Sequence, residues 1–189
     1  LSKWPDVEVS QAAAEALARR IADERVLRNA LRPIDLAQAL NALSKWPGRA
    51  NCEQAIDALT NRLTEDHELR HAMQARDVAV ALNALSKVFE RPACQAAAVL
   101  LAERAGSAAL PWQQFDMRGL AMVANAMSRL MHLDEEQLQT LGGAKLRAMA
   151  GHLELHLERF ESASAGEIGL LFKALSSARL HRQMRPLAR

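Results

Sequence analysis

Residues 35 to 47, DLAQALNALSKWP, decide how the chain is read. Leu36, Leu40 and Leu43 recur at i, i+4 and i+7, which places them on one face of an α-helix. Pro47 then reads as its stop, because proline cannot donate to the carbonyl four residues back and restricts the residue before it. The last five letters, LSKWP, also open the chain 42 residues earlier. Cut there, residues 1–42 and 43–84 align without a gap and share 18 identical positions. LSKVF begins a third unit at 85–126, a longer fourth spans 127–174, and LSSAR begins a partial fifth at 175–189.

The helical stripe returns in each unit as Val78, Leu82, Leu85, then Leu120, Ala124, Met127, then Ile168, Phe172, Leu175. A second helix is expected over about 52–63, with Ile56, Leu59 and Leu63 inward, and a short helical turn over 66–73. In the third unit, Ala-Gly-Ser and Leu110-Pro111 predict a looser link. In the fourth, Gly142-Gly143 predicts a break in a helix that ends near Phe160.

Half of the 189 residues are hydrophobic, mostly Ala and Leu, with four Phe, three Trp and no Tyr. Ala and Leu lose least on entering a helix, and the residues that suit strands are scarce. The expected fold class is therefore all-α. A helix pair of this length cannot bury its apolar face alone, so the units are expected to stack. The product is a right-handed α-solenoid of about 42-residue repeats, armadillo- or HEAT-like, with residues 1–189 forming a single fragment of it. The exposed apolar ends of such a fragment are expected to promote self-association.

Following one position through successive units sorts structural residues from candidate contacts. Trp4, Trp46, Val88, Leu130 and Ala178 form an apolar column, a packing knob at a helix end. Ser2, Ser44, Ser86, Ser128 and Ser176 form another. Five copies cannot each own the His and acid that a nucleophile needs, so each hydroxyl is expected to bond the carbonyl four residues back. Cys52 and Cys94 share one column and read as buried thiols, too few for a disulfide framework and without a zinc-binding partner set.

Two columns stay polar. One reads Asn41, Asn83, Asn125 and Lys173; the other, four residues on, reads Lys3, Lys45, Lys87, Arg129 and Ser177. A spacing of four puts both on one face of one helix. Asn offers a donor and an acceptor to an extended backbone, and Lys or Arg offers charge to carboxylates or phosphates. Asn41, Lys45, Asn83, Lys87, Asn125, Arg129 and Lys173 are therefore the candidate partner-binding residues. Solvated lysines and loop-bonding asparagines are the plainer reading of the same columns.

Other chemistry finds little support. HLELH at 152–156 spaces His152 and His156 one turn apart, but the acid is misplaced for the metalloprotease pattern and the pair reads as surface histidines. No Gly-rich phosphate loop occurs, and a net charge of +2 does not announce nucleic-acid binding by bulk electrostatics. No catalytic residues, metal or cofactor are expected. No apolar run approaches the roughly 20 residues of a membrane span.

LSKWP, the preceding DLAQALNA and the 42-residue period resemble the SKWP-repeat type III secreted effectors of plant-pathogenic bacteria, the family of the Ralstonia SKWP proteins and Xanthomonas XopAD. The likeness covers essentially the whole chain and is sharpest in the first two units, while LSKVF, MSRLM and LSSAR depart from it. It implies a piece of a long HEAT/armadillo-like repeat protein that a type III system delivers into plant cells, with a general role in virulence. With the Asn and basic columns, the expected function is a non-enzymatic interaction scaffold that binds an unidentified host protein or peptide. It brings no catalytic residues. A more distant similarity to the helical repeats of organellar RNA-binding proteins makes single-stranded RNA the alternative partner.

Overall fold

The computed structural model describes residues 8–177. The first LSKWP copy, with Lys3 and Trp4, and the basic tail at 178–189 lie outside them. The described residues are helical and contain no strand, only an isolated bridge between Ser107 and Leu110. The helices are α1 (Glu8–Asp23), α2 (Arg25–Ala30), α3 (Pro33–Leu43), α4 (Ala50–Glu65), α5 (His67–Ala72), α6 (Ala75–Leu85), α7 (Pro92–Arg104), α8 (Met117–Leu130), α9 (Glu136–Leu155) and α10 (Ala165–Ser177). Single 3-10 turns occupy Trp112–Gln114 and Leu157–Ser162. The chain forms two compact units, one ending at Ala98 and the next beginning at Val99, so the division falls inside α7.

In the first unit like packs on like. The long helix α1 lies against α4, and the shorter α3 lies against α6. Leu36, Leu40 and Leu43 are buried, as are Val78, Leu82 and Leu85, so the 3.6-residue stripe marks the core face. Both short helices start the same way. Asp35 Oδ2 accepts from Arg32 N at 3.3 Å and Asp77 Oδ2 from Gln74 N at 3.1 Å, each satisfying one of the N–H groups a helix start leaves free.

Arginines tie the repeats together in matching columns. Arg49, just before α4, reaches Gln11 Oε1 at 3.1 Å and Glu15 Oε1 at 3.3 Å on α1. Arg91, 42 residues on, reaches Glu53 Oε2 at 3.3 Å and holds Asp57 through both carboxylate oxygens on α4. A second pair, Arg28 and Arg70, folds back onto the last carbonyls of the preceding long helix, Arg28 Nη1 to Ile21 O at 2.9 Å and Arg70 Nη1 to Thr64 O at 2.8 Å. Cations there also face the negative end of the helix dipole.

The LSKWP helix end is not made by its proline. α3 stops at Leu43, four residues before Pro47, and α6 stops at the matching Leu85 although Phe89 stands where the proline was. What ends both is a tightening into 3-10 bonds: Lys45 N to Ala42 O and Trp46 N to Leu43 O, repeated as Lys87 N to Ala84 O and Val88 N to Leu85 O. The tightening also moves the serine bond. Ser44 Oγ donates to Asn41 O at 3.1 Å and Ser86 Oγ to Asn83 O at 2.9 Å, three residues back rather than four.

In the second unit α8 packs on both α9 and α10. Two glycine expectations fail here. α9 runs unbroken through Gly142-Gly143, because the missing side chain serves packing rather than a turn: a Cβ at Gly142 would stand 2.7 Å from Met127 O and 2.9 Å from Met131 Cγ. The link before α8 is packed rather than loose. Gly106, at φ 70°, leaves room for Trp112, whose ring would sit 2.2 Å from any Cβ there, and Leu110, Trp112 and Phe115 are all buried. Ile168 and Phe172 are only half-buried on α10, while Leu175 is fully so.

Candidate partner-binding stripe

Helices α6 and α8 are almost sealed, which makes their exposed residues informative. Of the residues of α6, only Arg76 and Asn83 escape burial, and Lys87 is exposed just past its end. In α8 the residues that reach solvent are Arg118, Met122, Asn125 and Arg129. The offsets 0, +4, +7 and +11 trace one line along a helix, the single side that packing leaves open. α3 shows Ile34, Gln38, Asn41 and Lys45 at the same offsets, and α10 shows Gly166, Leu170 and Lys173.

All seven predicted residues therefore lie on these lines. Asn41, Asn83 and Asn125 are half-buried, while Lys45, Lys87, Arg129 and Lys173 are exposed. Because α3 packs on α6, the first unit sets Asn41 and Lys45 beside Asn83 and Lys87; because α8 packs on α10, the second sets Asn125 and Arg129 beside Lys173. Lys87 Nζ reaches Ser44 Oγ at 3.4 Å, where α3 ends, so this cation also braces the repeat before it.

Reading the columns from sequence missed Arg76 and Arg118. They share a column seven residues before the asparagines, which starts at Ile34 and is therefore not basic in its first copy. Each arginine borders a cleft. One, of about 330 Å3, opens between the starts of α3 and α6 and is lined by Arg32, Ile34, Gln74 and Arg76. The other, of about 360 Å3, opens between α8 and α10 and is lined by Arg118, Met122, Glu167 and Leu170. Glu167 is held below its ordinary range chiefly by the Ser164 backbone and hydroxyl, with a smaller pull from Arg118. The α6 and α8 lines thus carry a cation at both ends, asparagine toward one end and an apolar side chain between.

Elsewhere the candidate chemistry dissolves into packing. Trp46, Val88 and Leu130 are buried, as a packing knob should be. Cys52 and Cys94 are free and fully buried, and burial, assisted by Asp57, pushes the Cys94 thiol up to about 12. His152 is not the surface residue expected. It is buried at the end of α9, its Nε2 lies 2.8 Å from Arg159 Nη1, and its ring lies 4.5 Å from that of His156. Among the described residues no cluster of three His, Cys, Asp or Glu groups could hold a metal ion. No described helix is long and apolar enough to cross a membrane.

Comparison with protein-family models, with curated proteins and with solved structures finds no match to this chain.

Proposed function

We propose that the chain is a non-enzymatic interaction scaffold, a stretch of right-handed, armadillo- or HEAT-like α-solenoid that binds a host protein or peptide along its polar stripe. The observation that carries this reading is the pattern of exposure on α6 and α8. Nearly every other side chain of these helices is buried, yet the open side repeats cation, Asn and cation at fixed offsets. Asn can pair with the backbone of an extended segment, and the flanking cations favour carboxylates. The packing of like helices within the first unit supports the solenoid reading. The sequence resemblance supplies the setting: a type III effector of a plant pathogen, delivered into the host cell and acting in virulence.

RNA is the less favoured partner. Single-strand readers stack bases on exposed aromatic rings, and Trp46, Phe89, Trp112 and Phe115 are all buried. The test is a host-protein pull-down with purified chain and with a variant in which Asn41, Asn83 and Asn125 are replaced together by Ala. A saturable partner lost in the variant is expected. A partner that ignores both this change and Arg76→Ala with Arg118→Ala removes the stripe as the site. RNA binding that weakens steeply with salt, and less steeply after Lys45→Ala and Lys87→Ala, replaces the protein reading with the RNA one.

A further inference from the structure

An apolar groove of about 240 Å3 runs between α1 and α3, lined chiefly by Leu17, Ala18 and Ile21 on one side and Ala42, Leu43 and Trp46 on the other. Repeat symmetry explains what it is for. The columns of Leu17, Ile21 and Ala42 hold Leu59, Leu63 and Ala84 in the next repeat, which are 0 %, 0 % and 1 % exposed. In the first repeat Leu17 is 53 % exposed, and Ile21 and Ala42 are half-buried. The first repeat has the second packed on its following side, and residues 90–93 lie against α4 of the second. Among the described residues only the second has a repeat on its preceding side, where α1 lies on α4 and α3 on α6. Columns open in one repeat and closed in the other are therefore those that a preceding repeat covers.

We infer that this groove is a docking surface for an amphipathic helix of the α3 type, presented by another repeat of this kind. No charged residue lines it, so a charged occupant would lose hydration without compensation, whereas an Ala- and Leu-faced helix buries apolar area against it. The occupant runs parallel to α3, as α3 runs parallel to α6 with their ends tied by Lys87 and Ser44. This docking continues an interface already formed inside the chain; it rests on the repeat stacking of the proposed function but not on partner binding along the Asn and basic columns, so a failed pull-down leaves it standing.

The test uses the whole chain and a labelled peptide of residues 32–46, RPIDLAQALNALSKW, stapled through positions 34 and 38. Both are exposed in α3, and the staple keeps so short a peptide helical. Anisotropy should show saturable binding, weakened at least about tenfold by Leu17→Glu in the chain and abolished by Leu36→Ser with Leu40→Ser in the peptide. Leu17 is exposed, so the glutamate leaves the fold intact, which an unchanged circular dichroism spectrum verifies. No saturation at about 1 mM chain, or equal binding by the Leu17→Glu chain, overturns the inference.

Discussion

Two glycines of α9 show how little a residue type says without its neighbours. Gly142 faces the end of α8, where an added methyl would meet a backbone carbonyl; Gly151 faces nothing within 4 Å. Gly142→Ala should therefore destabilise by about 2 kcal/mol, the cost of overpacking. Gly151→Ala should stabilise by about 0.5–1 kcal/mol, since only backbone entropy changes. Paired denaturant titrations check both signs, and equal effects would mean that α9 does not approach α8 as described. Arg91 offers a third case at this scale. It serves two carboxylates while about a quarter exposed, so Arg91→Ala should cost about 1 kcal/mol, and a double-mutant cycle with Asp57→Asn should show coupling that shrinks with salt. Arg49 and Arg91 were both legible as letters; their partners on α1 and α4 lie 34 to 38 residues away, and only the fold brings them together.

Elements end for local reasons that the repeat makes easy to compare. Since α6 stops at the same place as α3 without a proline, Pro47→Ala should leave the α3 end unmoved and cost less than about 1 kcal/mol. Amide exchange at Lys45 and Trp46 would show an extended helix if the proline mattered. The 3-10 turn after α9 is held differently. Arg159 donates to Trp112 O at 3.4 Å and to Phe115 O, and His152 Nε2 must accept from Arg159, because a guanidinium can only donate. His152 is therefore neutral there. Burial foremost, then His156 and Arg159, hold it below its usual value, against a smaller opposing pull from Glu158. A neutral histidine favoured in the fold leaves the unfolded chain binding more protons. Its stabilisation is complete above the ordinary histidine pKa, about 6.5, and is lost as pH falls from there toward the lowered folded value. Thermal unfolding between pH 8 and 5 should thus lose less stability in His152→Gln, and imidazole NMR should find Nδ1 protonated. A titration at or above the ordinary value would end this account.

At the scale of the whole molecule there are two compact units, and within each the packing runs between neighbouring helices. Damage should then stay near its source, as it does in arrays whose stability is a sum of neighbour terms. Hydrogen exchange on Gly142→Ala should show protection falling in α8, α9 and α10 while α3 and α6 keep theirs. A uniform fall would mean one cooperative body. The buried thiols give a plainer check: Cys52 and Cys94 should resist alkylation in the native chain at pH 8 and react once it is unfolded.

The 42-residue period, the all-helical character and the core stripe were determined by the sequence alone, because hydrophobic periodicity is a property of neighbours along one helix. The Asn and basic columns were equally visible, being repeats of a letter at fixed spacing. Tertiary structure decided the rest. It showed that the serine of LSKWP bonds three residues back, that its proline ends nothing, and that Gly142 is a contact rather than a break. It also added Arg76 and Arg118 to the stripe, since exposure depends on which sides of a helix its neighbours cover, and spacing along the chain does not say that.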